Sequence, residues 1–208
     1  MSRLRLGFLA SHGGSNMQAV IDACRDGHID AEPCVAISNN SRSQAGRRAT
    51  EAGISYSHLS TKTHPEDNAR DKAILDVLEW HRVDLVVLGG YMKKLGSATL
   101  HRYQNRITNV HPSLLPKFGG RGFYGQAVHK AVIASGDLIT GATIHLVDEH
   151  FDHGQIIAQQ VVSVMQEDTA ETLGERVLQV EHELYVETIR RIASGEIDLD
   201  DITSTSRS

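Results

Sequence analysis

Residues 3–26 read RLRLGFLASHGGSNMQAVIDACRD, and this stretch decides the fold. Residues 3–10 form an apolar run of strand length, and residues 11–15 form a turn rich in glycine. From Asn16 onward the apolar residues recur at helical spacing. A strand, a tight turn and a helix in this order make the first half of a βαβ unit, so the stretch predicts a parallel sheet with crossover helices.

The same alternation continues along the rest of the chain. Further strand-length runs lie at residues 33–38, 54–59, 84–89, 107–111, 139–147 and 155–164. The last two predict an antiparallel hairpin, and residues 169–193 predict a long helix. We assign one α/β domain to residues 1–197 and expect residues 198–208 to form a flexible tail. Trp80 lies on the apolar stripe of a predicted helix, and we expect it in the core.

The composition limits the class of protein. The 208 residues are 40% hydrophobic and 23% charged, with a formal charge of −5, which is typical of a folded globular domain. No apolar run approaches the ~20 residues that span a bilayer, so we expect no membrane partner. The acidic balance argues against nucleic acid as a partner. Cys24 and Cys34 suit a reducing compartment, and we expect a cytoplasmic protein.

The first candidate site is the turn SHGGSN at residues 11–16. Free N–H groups at a helix N-terminus, with glycines that allow close approach, make an anion site. Ser15 and Asn16 add side-chain donors for a phosphate. The turn matches neither G-x-G-x-x-G nor the P-loop pattern, and on its own it equally suits a simple helix cap.

The second candidate is NVHPSLLP at residues 109–116. Residues two apart in a strand project from one face, so Asn109 and His111 point the same way. An amide donor beside an imidazole suits an oxyanion that forms at a carbonyl under attack, and histidine also moves protons. A lone histidine that closes a strand is the simpler alternative, but the pairing of two polar groups favours function.

The third candidate is HLVDEHFDHG at residues 145–154, with three histidines and three acids. Its spacing matches no zinc motif, so we expect no metal and favour a polar loop or an acid–base site. An aspartate of this loop is suited to orienting His111 and to favouring its charged form. Spacing alone does not choose among Asp148, Glu149 and Asp152.

These segments, in this order, resemble the folate-dependent formyltransferases, most closely the branch that formylates phosphoribosylglycinamide. The resemblance runs from about residue 4 to residue 189, and NVHPSLLP and GATIHLVDEHFDHGQIIAQ (residues 141–159) are its most specific parts. It implies a Rossmann-like sheet with an antiparallel extension. It also implies transfer of the formyl group of 10-formyltetrahydrofolate, the donor cosubstrate, to the amine of 5'-phosphoribosylglycinamide in purine biosynthesis, with no metal.

The resemblance further implies roles for single residues. By similarity Asn109, His111 and Asp152 are catalytic, with Asp152 singled out by its D-x-G-x-I-I context, and Glu181 helps to hold the nucleotide substrate. The implied phosphate-binding residues are Gly13, Gly14, Ser15 and Asn16. The implied folate-binding residues are Tyr91, Met92, Lys93, Lys94, Leu95 and Val147. Lys93 stands where the family commonly has arginine, so the planar fork of donors is absent.

Other functions stay open at this point. A sugar-nucleotide N-formyltransferase uses the same donor chemistry, because loops read the acceptor. A tRNA formyltransferase is expected to carry a further RNA-binding domain, and a formyltetrahydrofolate hydrolase an N-terminal regulatory domain. A non-catalytic phosphate-binding module explains the first turn but gives Asn109, His111 and Asp152 no use. We expect small-molecule substrates and either a monomer or a homodimer.

Overall fold

A computed structural model describes residues 3–204 of the chain. Every strand and helix predicted from the sequence is present, with ends that differ by a residue or two. The elements, in chain order, are β1 Leu4–Leu9, α1 Ser15–Arg25, β2 Ala31–Ser38, α2 Gln44–Glu51, β3 Ser55–His58, α3 Asp67–Trp80, β4 Leu85–Leu88, α4 Ser97–Arg102, β5 Ile107–His111, α5 Gln126–Ser135, β6 Ile139–Leu146, β7 Ile156–Ser163, α6 Ala170–Ala193 and α7 Leu199–Ser204.

Within residues 3–204 the sheet has seven strands in the order β3-β2-β1-β4-β5-β6-β7. Strands β1 to β5 run parallel to one another. Strand β6 runs antiparallel to β5, and β7 pairs antiparallel with β6. The fold class is therefore confirmed: one Rossmann-like α/β domain with a mostly parallel sheet, helices on both faces and a C-terminal antiparallel extension.

Strand β4 illustrates why the central strands are apolar throughout. Leu85 and Val87 pack with helices α1, α2 and α6, whereas Val86 and Leu88 pack with α3 on the opposite face. Since successive side chains alternate between the two faces, a strand covered on both sides is buried at every position. The core thus consists of two apolar layers, one on each side of the sheet.

The strand order reverses between β1 and β4, and there the connections leave toward opposite faces of the sheet. Open α/β sheets bind ligands in the crevice that such a reversal creates at the carboxyl ends of the strands. Ser11 joins the two loops at this point. Its N–H donates to the Gly90 carbonyl at 3.0 Å, and its hydroxyl accepts from Met92 N at 2.7 Å.

Helix α6 packs across the sheet and is held to it by a buried tyrosine. Thr169 caps the helix by accepting from Thr172 N. The hydroxyl of Tyr185 lies 3.0 Å from the carbonyl oxygens of Leu88 and Thr108, at the ends of β4 and β5. In the described part of the chain, no helix combines the length and apolar character needed to cross a membrane.

The expectation that Trp80 lies in the core is wrong, because this side chain is 84% exposed. Ile74 and Leu78 form the buried face of α3. Successive helical residues are rotated by about 100°, so Trp80, two residues beyond Leu78, points away from the sheet.

The sequence analysis missed helix α4, whose N-terminus is capped from a distance. The carboxylate of Asp71, on α3, accepts from Ala98 N at 2.8 Å and from the Thr99 hydroxyl at 2.5 Å. A six-residue helix is too short to be stable alone, and this cap is supplied by a residue 27 positions earlier.

The expected flexible tail also needs correction, because residues 199–204 form helix α7. Leu199 is buried against the same apolar layer as α1 and α6, so the folded domain extends beyond residue 197. Arg106 forms a bidentate ion pair with Asp200 at 2.9 and 2.6 Å. Residues 205–208 lie outside the described part of the chain.

Candidate active site

Strand β5 presents two polar side chains on one face near its carboxyl end. On the other face, Thr108 and Val110 lie toward α6, where the Thr108 hydroxyl is 3.0 Å from that of Tyr185. By alternation, Asn109 and His111 project from the face that α6 does not cover. His111 is the last residue of the strand and is almost fully buried. These two groups therefore lie side by side at the edge of the sheet where the crevice opens.

Asp152 reaches both β5 and β6 from the loop that joins β6 to β7. One carboxylate oxygen lies 3.4 Å from His111 Nδ1 and accepts from Gly120 N at 3.0 Å. The other oxygen lies 3.6 Å from Nε2 of His145, on β6. The carboxylate therefore lies between the ends of two strands and beside the loop that carries Gly120.

The remaining acids of this loop do not face His111. Asp148 is exposed and accepts from His150 N at 2.7 Å, and Glu149 is also exposed. Of the three acids that spacing alone left open, Asp152 is the one that the structure places against the imidazole of His111.

The surroundings of Asp152 keep it ionised. Burial alone raises the pKa of this carboxyl group. The contacts with His111 and His145 and the hydrogen bond from Gly120 N outweigh that effect, so the pKa falls well below its ordinary value. The ionised carboxylate lies 3.4 Å from His111 Nδ1.

His111 also contacts the backbone of the loop at residues 112–125. Its Nε2 lies 2.8 Å from the Phe118 carbonyl oxygen, which can only accept a hydrogen bond, so Nε2 carries a proton. With Asp152 at the other nitrogen, both ring nitrogens face acceptors. The loop therefore holds the Nε2–H of His111, while Asp152 faces Nδ1.

The sequence pattern places His145 among three histidines of one segment but does not predict its contact with Asn109. His145 Nδ1 lies 2.7 Å from the Leu146 carbonyl oxygen and therefore carries a proton. Nε2 is then an acceptor, 3.1 Å from Asn109 Nδ2, and it fixes the amide while leaving the second amide N–H free. The feature that would have predicted this contact is the register of β5 and β6, which pairs Asn109 with His145.

No metal-binding cluster is formed by the histidines of this segment. The rings of His150 and His153 lie 5.9 Å apart on the exposed loop, whereas His145 faces Asn109 inside the site. Across residues 3–204, no three His, Cys, Asp or Glu side chains are grouped so as to hold a metal ion.

The glycine-rich turn leads directly into α1. Gly14 is the N-cap residue, with a φ of 68° that favours glycine, and no side chain caps the helix. The first-turn N–H groups are therefore available to a ligand. The expected phosphate-binding residues lie together at this end of the helix, namely Gly13, Gly14, Ser15 and Asn16.

Glu181 joins this turn to the rest of the site. It is buried on α6, and Oε2 accepts from Asn16 Nδ2 at 2.8 Å. Burial raises the pKa of Glu181 to about 7, although the Asn16 hydrogen bond and the charge of His111 act in the opposite direction. Through its hydrogen bond to Asn16, Glu181 connects helix α6 to the glycine-rich turn.

The segment after β4 forms another wall of the crevice. Tyr91 and Val147 pack against the same apolar layer, Leu95 is buried and Met92 is 41% exposed. A side chain at Gly89 would lie 3.2 Å from Asn16 Cβ, so the end of β4 passes close to the turn. The expected folate-binding residues border this crevice or lie exposed beside it, namely Tyr91, Met92, Lys93, Lys94, Leu95 and Val147.

Residues 4–189 match the family model described as formyl transferase. The chain belongs to the formyl transferase family. A chloroplastic phosphoribosylglycinamide formyltransferase of Vigna unguiculata is 41% identical over 196 residues, which cover 94% of this chain and 62% of that relative. The phosphoribosylglycinamide formyltransferase of Haemophilus influenzae is 36% identical over 197 residues, which cover 95% of this chain and 91% of that relative.

Solved structures of the family share this fold. The crystal structure of glycinamide ribonucleotide transformylase 1 from Symbiobacterium toebii superposes with a TM-score of 0.87 at 38% identity, covering 93% of this chain and 89% of that one. A formyltetrahydrofolate deformylase from Pseudomonas syringae gives a TM-score of 0.82 at 25% identity and covers 93% of this chain and 62% of that one. Proteins with this fold therefore catalyse more than one reaction. The fold alone does not identify the acceptor of the formyl group, and the residues of the site are needed for that.

Replacing Glu181 in this formyl transferase by glutamine is expected to remove a pH dependence of stability. The pKa of Glu181 is about 7 in the folded protein, against 4.5 for an ordinary glutamate. Between these values the folded state binds the proton more tightly than the unfolded chain does, so stability falls as pH rises. Glu181 contributes a fall of ~3 kcal/mol to wild type, and Glu181→Gln lacks this contribution.

Urea unfolding at pH 4.5 and pH 8 measures this difference. Glu183→Gln, at an exposed position of the same helix, is the matched control and should follow the wild type. Equal pH slopes for wild type and Glu181→Gln would show that the buried carboxyl group is not the source.

Proposed function

We propose that this formyl transferase moves the formyl group of 10-formyltetrahydrofolate to the amine of 5'-phosphoribosylglycinamide. The main support is that one crevice contains both a site suited to phosphate and a group of side chains suited to carbonyl chemistry. An uncapped helix N-terminus suits a phosphate, and a buried imidazole with a half-buried amide and carboxylate suits addition to a carbonyl. The relatives from Vigna unguiculata and Haemophilus influenzae bear the name of this activity.

Asn109 stabilises the charge that forms in the first step. The acceptor amine attacks the formyl carbon, a C–N bond forms, and the carbonyl electron pair moves onto oxygen. Because one N–H of the Asn109 amide is held by His145, the second is oriented in advance toward that oxygen. A fixed donor at a developing oxyanion typically lowers the barrier by ~3–4 kcal/mol.

His111 supplies the second donor. In the free enzyme its Nε2–H is bonded to the Phe118 carbonyl oxygen, and the formyl oxygen of the donor replaces that carbonyl when it binds. The exchange is between two oxygen acceptors, so the imidazolium keeps a hydrogen bond throughout. Asp152 stays against Nδ1 of the ring during this exchange and keeps the ring oriented.

Asp152 also handles the proton that the amine must lose. After addition the former amine nitrogen carries an extra proton, and the ionised carboxylate accepts it directly or through a water molecule. Collapse of the tetrahedral intermediate breaks the bond between the formyl carbon and the folate nitrogen, and that nitrogen takes up a proton. The products are the formylated amide and tetrahydrofolate, so atoms and charge balance.

The two substrates occupy different walls of the crevice. The phosphate of the acceptor binds the N–H groups of the turn at residues 13–16, and Glu181 hydrogen-bonds its sugar. The folate binds along residues 91–95 and Val147. Support comes from the short distance between the end of β4 and Asn16, which brings donor and acceptor together over Asn109 and His111.

Steady-state turnover tests the proposed function. The expected result is deformylation of 10-formyltetrahydrofolate that depends on added glycinamide ribonucleotide and yields its formyl amide. Turnover in buffer alone would instead indicate a hydrolase. Turnover with an amino-sugar nucleotide but not with glycinamide ribonucleotide would contradict the proposed acceptor.

Substitutions in the loop after β6 test the role of Asp152. Asp152→Asn keeps the shape of the side chain but removes its charge and basicity, and kcat is expected to fall ~100-fold or more. Asp148→Asn is the matched control, because Asp148 is an exposed acid of the same loop, and its kcat should stay near the wild-type value. Near-full turnover of Asp152→Asn would remove this residue from the mechanism.

A further inference from the structure

Two buried polar atoms near the turn at residues 13–16 have no hydrogen-bond partner within residues 3–204. They are Oδ1 of Asn16, a residue only 7% exposed, and Nε2 of His182, the neighbour of Glu181 on α6. Buried polar groups normally find a partner, and an unsatisfied one is costly. Oδ1 can only accept a hydrogen bond, so it suits a donor such as a sugar hydroxyl rather than a phosphate oxygen, and the two atoms indicate that this end of the crevice is suited to a ligand with polar groups beside its phosphate.

Arg48 brings a guanidinium group from α2 to the same turn. Its Nε donates to the Gly13 carbonyl oxygen at 3.0 Å, and the side chain is half-buried. A guanidinium has five N–H donors, so four remain after this bond. Among the described residues the side chain of Arg48 forms no ion pair, and its one hydrogen bond is the one to Gly13.

The positive charge of Arg48 affects the pKa of His182 on α6. Burial lowers the pKa of His182, and the positive charge of Arg48 lowers it further, so this imidazole stays neutral beside a fixed cation. The carboxyl group of Glu181 lies on the other side of Asn16 and repels an anion whenever it is ionised. A phosphate at the turn therefore needs a cation to offset this repulsion, and a helix N-terminus supplies only about half a charge.

We propose that Arg48 binds the phosphate of the acceptor, with its Nε–H holding the turn through Gly13 and its terminal N–H groups bonding the phosphate oxygens. This inference rests on the proposed function, since it adds a charged ligand to the same phosphate site. Guanidinium pairs with phosphate through parallel hydrogen bonds that an ammonium group does not reproduce. Arg48 thus holds the turn through Gly13 and also offsets the negative charge of the bound phosphate.

Kinetics with two acceptors separates phosphate binding from a purely structural role. For Arg48→Gln, KM for glycinamide ribonucleotide should rise about 10–100-fold with little change in kcat. With the dephosphorylated acceptor, glycinamide riboside, kcat/KM should match that of wild type. Arg48→Lys retains the charge and should recover part of the loss.

Arg47→Gln is the matched control. Arg47 is the preceding residue of α2, is exposed and makes no bond to the turn, so its substitution should leave KM for both acceptors unchanged. Equal losses for Arg48→Gln with both acceptors would mean that Arg48 only holds the turn. No loss with either acceptor would likewise overturn the inference.

Calorimetric titration with ribose 5-phosphate gives a readout that does not depend on turnover. Wild type and Arg47→Gln should bind it, and Arg48→Gln should bind at least about 10-fold more weakly. Undiminished binding by Arg48→Gln, or no binding by wild type, would overturn the role of Arg48. If wild type binds but formylates neither acceptor, the proposed function fails while the phosphate site stands.

Discussion

The carboxylate of Asp152 lies between two imidazole rings, 3.4 Å from His111 Nδ1 and 3.6 Å from His145 Nε2, and accepts from Gly120 N. The contacts with His111 and Gly120 come from different segments of the chain, so one negative charge links β5 to the loop between β5 and α5. His145 in turn fixes the amide of Asn109. The two donors that face the crevice are therefore held by different partners: His111 by the Asp152 carboxylate and Asn109 by His145.

Two buried carboxyl groups in this crevice have opposite properties. Hydrogen bonds and positive charge lower the pKa of Asp152, whereas burial raises that of Glu181 to about 7. Groups whose environments drive their pKa values apart commonly divide the work of a site between them. Here Asp152 supplies a negative charge against His111, and Glu181 is suited to hydrogen bonding in a region that also holds Arg48 and the helix N-terminus.

Local pattern predicted the strands and the pairing of Asn109 with His111, because alternation along a strand is a property of the backbone alone. It did not choose Asp152 from its neighbours, since that choice depends on how the loop folds back onto β5. The partner of Asn109 was missed for a similar reason: His145 is brought opposite it by the β5–β6 register. The cap that Asp71 provides to α4 is likewise a tertiary contact, which no local signal reports.

The central claim is that Asp152 remains ionised and holds the site together, and a carboxyl titration tests it most directly. In protein labelled with ¹³C at aspartate carboxyl groups, the Asp152 signal is identified by its loss in Asp152→Asn. The account predicts that this signal keeps the chemical shift of an ionised carboxylate as the pH falls from 7 to 4. A signal that titrates at or above the ordinary aspartate value of about 3.9 would contradict it.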